Sequence, residues 1–543
     1  MTIKEFLKEK IFGKKSVAKV AAAPENDTFI NNRDEIRESR LAEYNVWYGG
    51  DGDELLNFYT DNVVIGFNYE PYYSRNKKNY FWAISSTESD IKRTHSGQPR
   101  NIIDTLVGIC RFPTIKSTIT QDGSDKVAMT LKEIIDECGL EEIYKQEQLP
   151  LTLVDGWGCY KINWDDTISE YPYPVYYRAK DVDFIYKNGK IVSIVFKDYY
   201  TTENGAKQYM LTETRSIKYD SVENTRYLAI EYELFRMSGE SLRPATKEEV
   251  PELAELENIK VSNCDILLAV PCIIYRDVTN GGGYGRSIFT GKIDLFDDLD
   301  QCLSQSSNAV RKSTPIEYIN SEFLERDKNG MPIQPKAYDR KYTVYKGGIN
   351  GDGETSGMPV MTTQPKLDFA AYSSQAIDIL LQIVNGIMSP ATLGIDISKK
   401  DNAEAQREKE KVTIFTRNGI IDSETKILKS LCSQLLCANE LKQSGLMTVN
   451  KYNISVKYSE FADDSFENKL EKLGAALDSQ CISEDMYMEK LYGDTLSNEE
   501  YQREKQWLEE HHTKPRDAGM LGIAGGGSNF GNNNFGGNNE EEI

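Results

Sequence analysis

Residues 401–443 carry one uninterrupted helical pattern, and no other feature limits the fold as strongly. The pattern opens at Asp401, with Glu404 as its capping-box partner, and runs to Gln443 just before Gly445. At 1.5 Å per residue, roughly 40 residues make a rod of about 60 Å. Gly419 is the point at which it can bend.

What precedes the rod is ordered in a particular way. Gly281-Gly282-Gly283-Tyr284-Gly285-Arg286-Ser287 leads into a predicted helix carrying Ile288, Leu295, Leu299 and Leu303, which ends near Arg311-Lys312 ahead of Pro315. Residues 316–366 are short, turn-rich and β-leaning, with a loop from Gly347 to Gly353. A second helix is predicted from about Ala370 to Met388, with Ala376, Ile379, Leu380, Ile383 and Ile387 on one face. Pro390 stops it. The loop Ala391–Lys400 then enters the rod.

Nearer the N-terminus, residues 1–28 read as a Lys- and Ala-rich arm, and 33–62 as two helices around Gly49-Gly50-Asp51-Gly52. Thr130 with Glu133 forms a capping box for a helix expected over 131–149. From Trp157 to Leu234 the period changes to two. Tyr160, Ile162 and Trp164 alternate with more polar neighbours, as do Leu228, Ile230, Tyr232 and Leu234. Asn188-Gly189 and Glu203-Asn204-Gly205 supply turns, so an antiparallel β region is expected. Its tyrosines suit half-buried strands and need no base-stacking role. After the rod come a strand at Tyr452–Tyr458 and helices over about 465–479, 484–492 and 498–512, the last with Ser497 and Glu500 as a capping box. The Gly/Asn-rich tail from Gly519 cannot bury enough apolar surface to order itself.

Composition excludes several classes. The longest apolar runs fall far short of the ~20 residues of a membrane span, and no secretory signal is visible. The nine cysteines contain no CxxC pair and only three histidines accompany them, so no metal site is expected. A net charge of −21 does not fit a conventional DNA-gripping protein, although it suits a wall along which DNA must slide without sticking. The glycine stretch at 281–285 is not a phosphate loop, because Gly291-Lys292 is followed by Ile293 and the position five before Gly291 is Arg286. Asp294, Asp297, Asp298 and Asp300 cluster on the first helix. The spacing of 294, 297 and 298 reads as a solvated or channel-lining charged face rather than an acid–base or two-metal site. No G-x-S-x-G occurs. No catalytic residue, metal or cofactor is expected.

The order helix, small β insertion, returning helix, short loop and long charged helix resembles the portal proteins of tailed bacteriophages. Further stretches agree. Trp47-Tyr48-Gly49-Gly50, followed by Leu55, Leu56 and Phe58-Tyr59, is similar to a WY-x-G segment of portals from long-tailed phages. Val270-Pro271 before Gly285-Arg286-Ser287 resembles the entry to the stem, with Ile288 where GRSD is common. Pro390, Leu393-Gly394 and 402–408 resemble the passage into the long helix. Ile482-Ser483-Glu484 resembles a G-I-I-S turn, with Gln480-Cys481 departing from it. The likeness covers about 40–512.

The resemblance implies an α+β multidomain fold. Its parts would be a flexible arm (1–28), a mixed α/β wing (29–284), a first stem helix (285–312), a β-rich clip (313–368), a second stem helix (369–389), a tunnel loop (390–401), the long helix with a return strand of the wing (402–460), a helical crown (461–512) and a disordered tail (513–543). It also implies a homo-oligomeric ring, commonly a dodecamer, at one capsid vertex of the virion and assembled in the host cytoplasm. Double-stranded DNA would pass through the ring. The large terminase subunit, major capsid and scaffolding proteins and a head–tail connector would be partners, with no membrane. Hydrolysis of ATP would belong to the terminase.

Within that frame Leu299, Leu303, Leu380 and Ile383 are the expected ring-interface residues of the stem. Lys399 and Lys400 are the candidate DNA contacts of the tunnel loop, either touching backbone phosphates transiently or merely solvating the loop. Two other classes stay open: a virion structural or scaffold protein without DNA contact, and a DNA-processing enzyme of a mobile element.

Overall fold

In a computed structural model of the chain, the structure describes residues 27–65, 79–84, 91–117, 124–201, 207–220, 225–238, 241–262, 264–277, 284–313, 315–321, 324–331, 333, 341–345, 348–349, 355–356, 360–364, 369–394, 410–444, 452–459, 466–479, 481–492 and 498–511. The fold is α+β. It divides into two compact units, Met1–Ser459 and Glu460–Ile543.

The first unit opens with helices α1 (Asp27–Gly49), α2 (Gly52–Ile65), α3 (Gln98–Ile109), α4 (Ser124–Glu137), α5 (Leu140–Ile143) and α6 (Leu149–Asp155). The glycines after Tyr48 explain the first break. Gly50 has φ +72 and donates its N–H to the Val46 carbonyl, which closes α1 while Trp47 is wholly buried. The helix expected over 131–149 is instead divided. Thr130 lies inside α4, and Gly139, at φ +59, ends that helix before Leu140 starts the next. Between α5 and α6, Tyr144–Gln148 forms a π turn.

The strands are β1 (Thr114–Ser117), β2 (Trp157–Asn163), β3 (Tyr173–Arg178), β4 (Val182–Lys187), β5 (Lys190–Thr201), β6 (Gln208–Asp220), β7 (Thr225–Ser238), β8 (Ser241–Ala245), β9 (Ile259–Val261) and β10 (Ala269–Ile273). β4 through β8 form an antiparallel meander, with β9 paired to β7, whereas β10-β2-β3 is a separate sheet. Asn188 and Gly189 both take positive φ, 52 and 76, between the paired Lys187 and Lys190. That is the two-residue turn their sequence predicts. Residues 203–205, the other expected turn, lie outside the described residues.

Helix α7 (Ile293–Lys312) follows, then β11 (Ile316–Asn320), β12 (Lys341–Tyr345), β13 (Gly348–Ile349), β14 (Thr355–Ser356) and β15 (Val360–Thr363), and then helix α8 (Phe369–Val384). The long helix is α9 (Lys411–Ser444), 34 residues, and β16 (Ile454–Lys457) returns to pair antiparallel with β1. Residues 401–409, with the expected cap Asp401, lie outside the described residues. Ile420, Ile427, Leu431 and Leu435 form the buried face of α9, which packs on β10, and just past the end of that strand the Ile274 carbonyl accepts from Ser423 Oγ at 3.0 Å. One core runs from Trp47 and Ile102 through Phe289 and Phe296 to Leu428 and Leu435.

Between the two sheets sits a buried charged cluster. Glu213 on β6 accepts from Lys161 Nζ at 2.7 Å and Arg215 Nε at 2.6 Å, and Arg215 also donates to the carbonyls of Ile162 and Leu268. Burial alone would raise the Glu213 carboxyl, but Arg215 and Lys161 outweigh it and hold the group below its ordinary value. Its contribution is therefore present above the ordinary value of 4.5 and is lost as pH falls through the depressed one.

The second unit holds α10 (Phe466–Asp478), α11 (Glu484–Tyr492) and α12 (Asn498–His511), packed around Leu477, Tyr487, Met488 and Leu491. Ser483 Oγ accepts the Met486 N–H at 3.2 Å and so caps α11. Among the described residues, no helix is long and apolar enough to cross a membrane.

Glu213→Gln leaves Lys161 and Arg215 buried against a neutral group. It should cost about 3–5 kcal/mol of stability at neutral pH. Urea unfolding of the wild type and the variant measures it.

Candidate functional site

Helices α7 and α8 form an antiparallel hairpin that carries β11–β15 between them. Lys292, at the start of α7, donates its Nζ to the Gln382 and Asn385 carbonyls at 2.7 and 3.0 Å. Further along, Cys302 Sγ lies 3.6 Å from the Tyr372 carbonyl. The insertion between the helices is a small sheet in which β11 pairs with β12 in parallel and with β15 antiparallel. Every residue of β15 is exposed.

The hairpin is seated by a backbone crossing. A Cβ on Gly156 would stand 2.8 Å from the Arg286 carbonyl carbon and the Ser287 nitrogen, and one on Gly285 would collide with the Gly156 carbonyl oxygen. Two adjoining bonds fix the crossing: Arg286 N–H to the Tyr275 carbonyl at 2.7 Å and Ile288 N–H to the Leu153 carbonyl at 3.0 Å. Gly285 in the Gly-Arg-Ser stretch is thus required for the close approach of two backbone segments. Residues 278–283, the rest of the glycine-rich stretch, lie outside the described residues.

The aspartates of α7 do not form the solvated stripe their spacing predicts. Asp294 and Asp298 are exposed, but Asp297 and Asp300 are 4% and 0% exposed. Asp297 accepts the backbone N–H groups of Phe81 and Trp82, at 2.8 and 3.3 Å. Asp300 accepts Trp82 Nε1 at 3.1 Å and the Ser96 N–H at 2.8 Å, and it pairs with His95 Nδ1 at 2.7 Å. Tyr80 donates to Asp294. Burial pushes the Asp297 carboxyl up to about 7 against the pull of its two backbone donors. These carboxylates are struts that tie the 80–96 region to the hairpin. Sequence spacing missed this because their partners lie some 200 residues away in the chain.

The stem leucines have separate fates. Leu299 and Ile383, 3% and 0% exposed, are buried by their own chain at the base of the hairpin. Leu303 and Leu380 are partly buried against the same core. The side chains that helical periodicity selects therefore pack the hairpin onto its own body. Ile377, Leu381, Val412 and Phe415 are exposed apolar residues, and Phe415, at 82%, is the most exposed large apolar side chain described. Leu381 and Val412 line one shallow groove with Met388 and Pro390, which joins α8 to the start of α9, and Phe415 lines a second groove with Ile387 and Ile288. The other side of the hairpin is more polar: a groove of about 300 Å³ between α7 and α8 presents Asp298, Gln301, Gln305, Gln375 and Gln382 over an apolar floor of Leu295, Cys302 and Ile379. The i, i+4 spacing of Ile377 and Leu381 was the available sequence signal for the apolar flank. The stronger apolar face of the same helix concealed it.

Lys399 and Lys400, with the rest of 395–409, lie outside the described residues. No protein-family model matches this chain, and no curated protein matches it.

Asp300→Ala strands three donors in the protein interior and should cost about 3–5 kcal/mol. Asp298→Ala, on the exposed side of the same helix, should stay within about 0.5 kcal/mol. Thermal melting of the two variants side by side separates buttress from decoration. Equal effects would contradict the assignment.

Proposed function

We propose that the chain is the portal protein of a tailed bacteriophage, a subunit of the ring at one capsid vertex through which DNA is packaged, held and ejected. One arrangement carries the reading: an antiparallel helical hairpin bearing a small sheet with an exposed edge strand β15, set on an α/β body, with its returning helix followed by the turn Pro390–Leu393 and, further along the chain, by a long helix. The order of these parts matches the stem, clip and wing that the sequence resemblance implies.

The chemistry of the surface suits such a ring. A closed ring needs heterologous contacts, in which one flank of each copy meets a different flank of the next. An exposed apolar flank at Ile377, Leu381, Val412 and Phe415 is a surface that gains from being covered. The amide-lined groove on the other side of the hairpin offers no strong charge of either sign beyond Asp298. Duplex DNA carries one negative charge per ~1.7 Å of axis, so a chain of net charge −21 would repel it along most of a channel and let it slide.

In this reading the sheet β11–β15 faces the large terminase subunit during packaging and a head–tail connector afterward. Capsid and scaffolding proteins surround the body. The chain performs no chemistry of its own, and the packaging motor supplies the ATP hydrolysis. Assembly takes place in the host cytoplasm, and the finished ring resides in the virion.

The purified chain should sediment as a large closed multimer of its 61.6 kDa subunit. Leu381→Asp combined with Ile377→Asp should leave the fold intact, as read by circular dichroism, and reduce the assembly to monomers or open arcs. Ile383→Asp should instead unfold the subunit. A wild type that sediments as a monomer at every concentration contradicts the reading.

A further inference from the structure

Glu424 stands in the middle of the apolar face of α9, in line with Ile420, Ile427 and Leu431, and it is 0% exposed. Its one hydrogen bond among the described residues comes from Gln148 Nε2, which donates to Oε1 at 2.9 Å. Two oxygens of this pair, Glu424 Oε2 and Gln148 Oε1, are buried and receive no donor among the described residues. A carboxylate can only accept, and an amide oxygen can only accept. With Glu424 ionised, the pair leaves two buried acceptors with no donor among the described residues, which folded proteins avoid.

A single proton repairs both. Placed on Oε2, it turns that oxygen into a donor for Gln148 Oε1, while Gln148 Nε2 keeps donating to Oε1. We propose that Glu424 is held in the folded chain as a neutral carboxylic acid closed onto the Gln148 amide by two reciprocal hydrogen bonds, and that this clasp ties the π turn Tyr144–Gln148 to the long helix until the acid ionises.

The surroundings favour the neutral form. Among the described residues, the titratable groups that feel the Glu424 charge are Tyr144 on the π turn, Tyr458 after β16, Tyr160 on β2, Cys272 on β10 and Cys110 after α3, none of them a cation. Arg417, on the same helix, spends its guanidinium on the Ile109 and Ser459 carbonyls. Burial accordingly pushes the Glu424 carboxyl up from 4.5 to about 7, against the weaker pull of Gln148. Because the folded value lies above the ordinary one, the clasp's contribution is complete below 4.5. It is lost as pH rises to about 7 and is constant above that. The π turn gives the clasp a place to act, since single-turn π segments mark points where a helix departs from its regular ladder.

The test compares the full chain with Glu424→Gln, whose amide preserves the reciprocal geometry but cannot ionise, by denaturant unfolding at several pH values. The wild-type-to-variant ratio of folding equilibrium constants should fall about tenfold per pH unit between about pH 5.5 and about pH 7, then level off. A ratio that is flat, or that rises with pH, overturns the clasp. Tyr160→Phe is the control, because the Tyr160 hydroxyl is buried without a partner among the described residues and could serve Oε2 instead. That variant should keep the wild-type pH dependence, and loss of the dependence would assign Oε2 to Tyr160 and overturn the proposal. Should Glu424→Gln fail to fold, infrared spectra of wild type labelled with ¹³C-carboxyl glutamate decide. A protonated-carboxyl band present near about pH 6 and gone by about pH 8.5 supports the clasp, and its absence at both contradicts it.

Discussion

Two backbones pass within van der Waals contact at Gly156 and Gly285, and the placement of the hairpin follows from that crossing. At either position a side chain would strike the opposite main chain. The crossing lets Ile288 bond to Leu153, which delivers Phe289 and Phe296 into the central core and sets the start of α7. The struts Asp297 and Asp300 then meet the 80–96 region, and Lys292 meets the end of α8. The exposed apolar flank and the amide-lined groove are what remains outside once these contacts are made.

Buried polar groups do unequal work in this body. The Lys161–Glu213–Arg215 cluster joins two sheets, and Asp198, 3.8 Å from Lys161, supplies the carboxylate that balances its second cation. Asp297 and Asp300 satisfy backbone and indole donors from a segment distant in the sequence. Such groups stabilise only as complete sets, so each is costly to break and adds little beyond what the apolar core provides. They specify how elements distant in sequence meet.

Much of the fold was legible in the sequence wherever the governing signal is local. The Asn188-Gly189 turn, the presence of β2 and β7, the helices of the second unit and most of the long helix follow from period and turn chemistry, although β2 is buried on both faces where its alternation predicts one. The division of the 131–149 region was not legible as a single helix because Gly139, rather than the Thr130 box, decides it. In the site, periodicity located both hairpin helices, and the side it selects is covered by their own chain, fully at Leu299 and Ile383 and partly at Leu303 and Leu380. Leu299 and Ile383 are apolar because their own chain buries them, and no local pattern distinguishes that from burial by a second copy. Asp297, Asp300 and Glu424 were illegible for a related reason: their partners lie far away in the chain, so spacing alone makes them look solvated.

The central claim, that copies of this chain close into a ring around a DNA path, is most directly tested by electron microscopy of the purified full-length protein. The expected result is end-on views of a closed ring with one axial hole of about duplex width. Compact single particles, or open filaments without an axial hole, would contradict it.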